Sequence, residues 1–166
     1  MSKVLYLMRH AHAEDGSGGS DKDRHLTAKG REQSANMSLQ MKKYLHICDF
    51  AWLSPSNRTL ETFENMDLDN IQSEEAESLY TGAPDDYIEV LKSTDDGYSH
   101  VMMIGHNPSC AMLAVQLAVE GSAADLITLR SGFRKGQMAI FHFDVESWAD
   151  IKLRSAFISE IITPQT

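Results

Sequence analysis

Lys3 to Met8 is a short apolar run between polar flanks, the pattern of a strand covered on both faces. The segment "AEDGSGGSDKDRH" that follows is polar and glycine-rich and predicts a loop. "LTAKGREQSANMSLQMKKYL" predicts a helix that Thr27 can cap, with Ala35, Leu39, Met41, Leu45 and Ile47 roughly along one stripe. "DFAWLS" predicts a second strand, ended by Ser54-Pro55. "NRTLETFENM" predicts a helix with Leu60, Phe63 and Met66 facing inward. A weaker strand covers Ile71 to Ala76, and "PDDYIEVLKST" predicts a helix with Pro84 in its first turn, where a missing N–H costs nothing. "HVMMIG" is the clearest buried strand after the first. In "NPSCAMLAVQLAVEG", Asn107 suits an N-cap, Pro108 the first helical position and Gly121 a C-terminal stop. "GQMAIFHFDV" predicts another strand, and "DIKLRSAFI" a last strand or an extended tail.

Strands alternating with helices predict a three-layer α/β/α sandwich with a mostly parallel central sheet. The 166 residues carry neither an internal repeat nor an interdomain linker, so residues 1–166 are expected to form one domain. In such sheets ligands sit beyond the carboxyl ends of the strands. Three groups fall there: Arg9-His10 after the first strand, Arg58 just after the second and His106 after the fourth.

Composition narrows the partners. A hydrophobic content of 42% is enough for a packed core. A net charge of -9 argues against broad electrostatic binding of nucleic acid or an anionic membrane. Cys48 and Cys110 make neither a disulfide framework nor a metal motif and read as small buried side chains. Val4 to Met8 is too short for a secretory core and Arg9 cuts it off. No run approaches the roughly 18 apolar residues of a membrane span. A soluble cytoplasmic protein is the expectation.

Two chemistries suit an arginine and two histidines at a strand end. His10 and His12, at i and i+2, would share a face of an extended chain and could belong to a metal site. However, Glu14 and Asp15 follow where the His-x-His-x-Asp-His element of metallo-β-lactamase-like hydrolases carries its Asp and third His. The other chemistry is phosphoryl transfer without a metal. A phosphoryl dianion needs several fixed positive donors, and the planar fork of arginine pairs two oxygens at once. A neutral imidazole can attack phosphorus, splitting one hard step into two easier ones. Charge spread over the equatorial oxygens is then neutralised by positioned cations. Gly16, Gly18 and Gly19 form no phosphate loop, because no Gly-Lys-Ser/Thr follows them. No dinucleotide fingerprint is present either.

"LYLMRHAHA", "LTAKGREQ", "LSPSNRTLET" and "VMMIGHNPS" occur in the order seen in the histidine phosphatase superfamily, whose fold is phosphoglycerate-mutase-like. The chain resembles that superfamily from Lys3 to about Phe143. Its length and its "RHA", "DRHLTAKG" and "GHNP" forms are most similar to the SixA group of phosphohistidine phosphatases. The resemblance implies a metal-independent phosphatase that needs no cofactor. It makes His10 the phosphorylated nucleophile, Arg9 and Arg58 phosphate clamps, and His106 the histidine that holds the phosphoryl group and its transition state. Arg24 matches a further arginine of the SixA pocket, and Asn107, within "GHN", is grouped with it as substrate-binding. Glu77, just before "SLYTG", lies where larger relatives carry a general acid. A phosphoramidate leaving group needs less help from such an acid. Ala11 stands where much of the superfamily has Gly, and His25 where SixA relatives usually carry Pro, next to Arg24.

The resemblance and the small size imply a substrate such as phosphohistidine on a histidine-containing phosphotransfer domain. The alternatives are a small phosphate monoester, or a phosphate-binding module without catalysis. His12, His46, His100 and His142 have no motif partner and read as structural or solvent-facing, and Arg130, Arg134 and Lys135 as a solvated basic group. The nine methionines read as core filler.

Overall fold

The structure, a computed structural model, describes residues 2–45, 48–68 and 70–165. The opening apolar run forms β1, Lys3–Arg9, at the middle of a seven-stranded sheet ordered β3-β2-β4-β1-β6-β7-β5. The other strands are β2 (Phe50–Leu53), β3 (Gln72–Glu75), β4 (His100–Gly105), β5 (Ala118–Glu120), β6 (Met138–Phe143) and β7 (Ala156–Ile162). β3, β2, β4 and β1 are mutually parallel, β6 is antiparallel to both β1 and β7, and β5 is parallel to β7. The sheet is therefore mostly parallel, as the alternation of elements predicts.

Both faces of the central strands are covered, which explains why they are continuously apolar. Val4, Tyr6 and Met8 face one side with Met102, Ile104, Met138 and Ile140. They pack against α1 (Ala28–Gln40) and α3 (Asn57–Asn65). Leu5 and Leu7 face the other side with Val101, Met103, Phe141 and Phe143. There they meet α5 (Pro84–Lys92), α6 (Ser109–Leu117) and α7 (Ala123–Arg130). Each large apolar side chain buried in these layers contributes roughly 1.5–3 kcal/mol. The short helices α2 (Lys42–Leu45) and α4 (Ser78–Thr81) complete the chain. Among the described residues no helix is long and apolar enough to cross a membrane. Cys48 and Cys110 are both free and buried.

Several local expectations change. Thr27 does cap α1, accepting from Gly30 N at 3.2 Å, but the buried face is Gly30, Gln33, Ser34 and Met37. Ala35 and Leu39 are exposed, and Met41 is buried. Ile47 and the side chain of Leu45 lie outside what the structure describes. The polar face turns inward because it meets backbone: a Cβ on Gly30 would sit 2.0 Å from the carbonyl oxygen of His12, and Gln33 Oε1 accepts from His12 N at 2.9 Å. Leu60 and Phe63 are half-buried against the core that Met66 joins, and Thr59 and Thr62 are the fully covered positions of α3.

α6 stops at Leu117, short of Gly121, because Ala118 and Glu120 pair with β7 instead. Tertiary pairing overrides the local helical preference there. Asn107 does not cap α6, since its side-chain amide donates to Phe133 O at 2.9 Å. The last strand begins at Ala156 and runs to Ile162, later than "DIKLRSAFI" predicts, after a 3₁₀ turn at Trp148–Asp150.

Candidate active site

β1 and β4 are parallel neighbours with Arg9 opposite Gly105, so His10 and His106 leave adjacent strand ends together. Their ring centroids are 5.2 Å apart. β2 lies on the other side of β4, and Ser54 N donates to Ile104 O at 3.1 Å as β2 ends. The chain then turns into α3, whose first turn delivers Arg58 to the same place. Arg58 Nη2 stands 3.4 Å from His106 Nδ1. The three groups predicted at strand ends thus converge on one recess, with Arg9 on its β1 side.

Hydrogen bonds set the state of both histidines. His10 Nδ1 lies 2.7 Å from the carbonyl oxygen of Ala11, which can only accept, so Nδ1 carries the proton and Nε2 keeps its lone pair. His10 is only 6% exposed. Burial, aided by the charges of Arg58 and Arg9 and opposed by the bond to Ala11, lowers its pKa to about 3, so it is neutral near pH 7. For His106, the arginine beside Nδ1 can only donate, which makes Nδ1 the acceptor and places the proton on Nε2, 2.6 Å from Ser54 Oγ. Burial and then Arg58 lower the His106 pKa to about 4. Ser54 can accept from Nε2–H or donate to a bare Nε2, so it supports either state of the ring.

The groups behind these histidines are fixed as closely. Tyr87 Oη donates to Leu79 O at 2.7 Å and accepts from His106 N at 3.0 Å. That approach requires Gly105, since a Cβ there would meet Tyr87 Oη at 2.4 Å. Ala11 N donates to Thr62 Oγ1 at 3.0 Å, tying the strand end to α3. Arg9 Nη1 and Asn107 Nδ2 both donate to Phe133 O, at 3.0 and 2.9 Å. The Nε atoms of Arg9 and Arg58 are buried without a protein partner. Two buried, unpaired cationic donors beside a neutral imidazole are what an anionic ligand would satisfy.

The outer wall is the 3₁₀ turn Asp21–Asp23 within the 14–25 loop. The loop ends are zipped together by Glu14 N to His25 O at 2.9 Å and Thr27 N to His12 O at 3.0 Å. Asp21 accepts from Arg58, Arg24 and Tyr80, with Arg24 Nη1 at 2.9 Å and Arg58 Nη2 at 3.0 Å. Arg24 thereby joins the cationic group. Hydrogen bonds from Arg24, and then from Tyr80 and Arg58, hold the Asp21 carboxyl well below the usual carboxylate range. His25 contacts Glu61 of α3, and Leu26 N donates to the same carboxylate at 2.7 Å, so the loop end is fastened to α3. Glu77 lies further out: Lys22 Nζ is 2.9 Å from both its oxygens and its side chain is 66% exposed.

His12 takes a different partner from His10, with Nδ1 2.8 Å from Thr27 Oγ1. Among the described residues no group of three or more His, Cys, Asp or Glu is arranged to hold a metal ion. Residue-by-residue reading missed Ser54, Tyr80, Tyr87 and Asp21. Ser54 was visible only as a strand stop, and Asp21 as one acid among several in a polar loop.

An α/β sandwich with a cationic, histidine-centred recess at its parallel strand ends is the architecture of a phosphoryl-handling enzyme. The model of the histidine phosphatase superfamily (branch 1) matches residues 5–79. A Haemophilus influenzae protein named phosphohistidine phosphatase SixA homolog is 32% identical over 127 residues, covering 68% of this chain and 76% of that protein. An uncharacterised Mycobacterium tuberculosis protein is 27% identical over 147 residues, 87% of this chain and 92% of its own. Among solved structures, one from Nakamurella multipartitia, provisionally named SixA, superimposes with a TM-score of 0.88 at 24% identity, covering 100% and 98% of the two chains. The protein histidine phosphatase SixA complexed with tungstate gives 0.77 at 23% identity, covering 97% of each. The chain belongs to the histidine phosphatase superfamily, in its SixA-type group, and is a histidine-nucleophile phosphatase with the phosphoglycerate-mutase-like fold.

Proposed function

We propose that the protein dephosphorylates phosphohistidine on a phosphotransfer protein, through a covalent phospho-His10 intermediate and without a metal. One observation carries this reading: His10 presents an unprotonated Nε2, set by its Nδ1 contact of 2.7 Å to Ala11 O, among Arg9, Arg58 and His106. In the first step Nε2 attacks phosphorus, and the bond to the leaving nitrogen breaks. Arg9 and Arg58 bind the phosphoryl oxygens through their guanidinium groups. His106, taking a proton on Nδ1 as the phosphoryl dianion binds and giving its Nε2–H to Ser54, then holds the equatorial charge. Arg24 and Asn107 line the outer and α6 sides. In the second step water attacks phospho-His10 and releases phosphate.

An imidazole leaves readily once protonated, so phosphohistidine makes little demand on a general acid. Glu77 is the candidate donor where the leaving group is an alkoxide, and it stands outside the histidine cluster, exposed and bonded to Lys22. The names of the SixA relatives support the phosphohistidine substrate. A small phosphorylated molecule is the rival substrate. The test is to compare kcat/KM for a phosphorylated histidine phosphotransfer domain with that for a panel of sugar phosphates. Faster turnover of the phosphoprotein is expected, and faster turnover of a sugar phosphate would sink the protein substrate.

A further inference from the structure

We infer that Asp21 is the positioning residue of the phosphoryl clamp, fixing the guanidinium groups of Arg58 and Arg24 from their solvent side so that both stand ready for a phosphoryl group. This rests on the phosphatase reading above and adds a residue to it.

Asp21 engages Arg58 twice. Its backbone carbonyl accepts from Nη1 at 2.7 Å and its Oδ2 accepts from Nη2 at 3.0 Å. The other carboxylate oxygen takes Arg24 Nη1 at 2.9 Å, and Tyr80 Oη donates to Oδ2 at 2.9 Å. One residue therefore gathers two arginines from different elements and a tyrosine whose ring stands edge-on to His106 at 5.7 Å. The turn that carries Asp21 is itself pinned. Lys22 bridges to Glu77 and lies 5.1 Å over the Tyr80 ring, while Asn57 Nδ2 donates to Asp23 O at 2.9 Å.

The opposite reading makes Asp21 a placeholder, an internal anion that occupies the phosphate position and must leave. Three features favour positioning. The Asp21 side chain is 53% exposed against 7% for Arg58, so the carboxylate sits outside the clamp. The bond from Nη1 ends on a backbone carbonyl, which cannot swing away as a side chain can. Asp21 leaves the Nε atoms of both Arg9 and Arg58 unpartnered, so it does not saturate the guanidinium donors as a phosphate mimic would. A free arginine side chain loses rotamer freedom when it binds, and presetting it removes that cost from binding.

The two readings predict opposite signs. Tungstate is titrated by calorimetry, well below the melting temperature, into wild type, Asp21→Asn and Asp21→Ala, with kcat/KM for a phosphoramidate measured in parallel. Loss of a charge-assisted contact predicts binding weaker by roughly 10-fold in Asp21→Asn and more in Asp21→Ala, with a matching loss in kcat/KM. Both variants should melt close to wild type, since the turn is exposed. Tighter tungstate binding in either variant would establish the placeholder and overturn positioning. Unchanged binding and turnover, with wild type active, would make Asp21 a bystander and leave the phosphatase reading standing. A wild type that neither binds tungstate nor turns over would sink that reading and this inference with it.

Discussion

The floor and the outer wall of the recess are held by different forces. On the floor, His10 and Arg58 are each 6% exposed; the sheet register, the α3 turn and bonds to backbone carbonyls and hydroxyls set where they stand, and the Arg58 guanidinium alone reaches out to Asp21 of the wall. On the wall, Asp21, Lys22, Arg24, His25 and Glu77 are fastened to each other and to α3 and α4 by charged contacts in or near solvent. Burial makes the floor's geometry insensitive to salt and drives its histidines neutral. The wall depends instead on several exposed ion pairs together, since a single one contributes only about 0.2–1 kcal/mol.

The contrast breaks most sharply at Arg58. Replacing it with Ala should lower kcat/KM by roughly 10²–10³-fold, the effect of removing one preorganised donor from developing charge. Lys in its place should recover little, because the fork geometry is lost. Steady-state kinetics on a phosphoramidate checks both variants, and a Lys variant near wild type would show that charge alone suffices.

This difference also decided what could be read from the amino-acid sequence. Arg9, His10 and His106 lie at or next to a strand end and Arg58 in the first turn of the helix that follows one, so local hydrophobic runs locate them, and parallel pairing does the rest. The wall was opaque. Asp21 meets Tyr80 across 59 residues and Arg58 across 37, and no local pattern announces such contacts. α1 was found, but its buried face was misjudged, because it packs through Gly30 and Gln33 on the backbone after His10 and not through an apolar stripe. β5 and α7 were missed. β5 exists through its pairing with β7, and α7 lies in a stretch where no strong apolar periodicity stands out.

A smaller effect is expected at Ser54. Ser54→Ala leaves His106 Nε2 without its partner at 2.6 Å and should cost about 10-fold in kcat, the worth of one hydrogen bond that orients a ring. An unchanged kcat would show that His106 is oriented by other contacts.

Protonation gives a further handle on the floor. His10 and His106 titrate at about 3 and about 4 in the folded chain, against 6.5 for a free imidazole. As pH falls the unfolded chain takes up these protons first. Stability is therefore full above about pH 6.5 and is lost progressively toward the lower values. Urea midpoints measured against pH should slope through this window in wild type and flatten in His10→Asn and His106→Asn. Identical slopes in all three proteins would contradict neutral, buried histidines.

The smallest effect belongs to the wall. Glu77→Gln breaks an exposed pair with Lys22 and should change stability by less than about 1 kcal/mol, with phosphoramidate turnover within about twofold of wild type. Chemical denaturation and initial rates check this. A large loss on a phosphoramidate would make Glu77 a required proton donor there.

The central claim is that His10 takes the phosphoryl group. The most direct test is intact-mass analysis of wild type and His10→Ala after brief exposure to a phosphoramidate donor at neutral pH, quenched in base. Phosphohistidine survives alkali and is lost in acid, so the account predicts an acid-labile gain of one phosphoryl group in wild type and none in the variant. The same gain in His10→Ala would place the nucleophile elsewhere and contradict it.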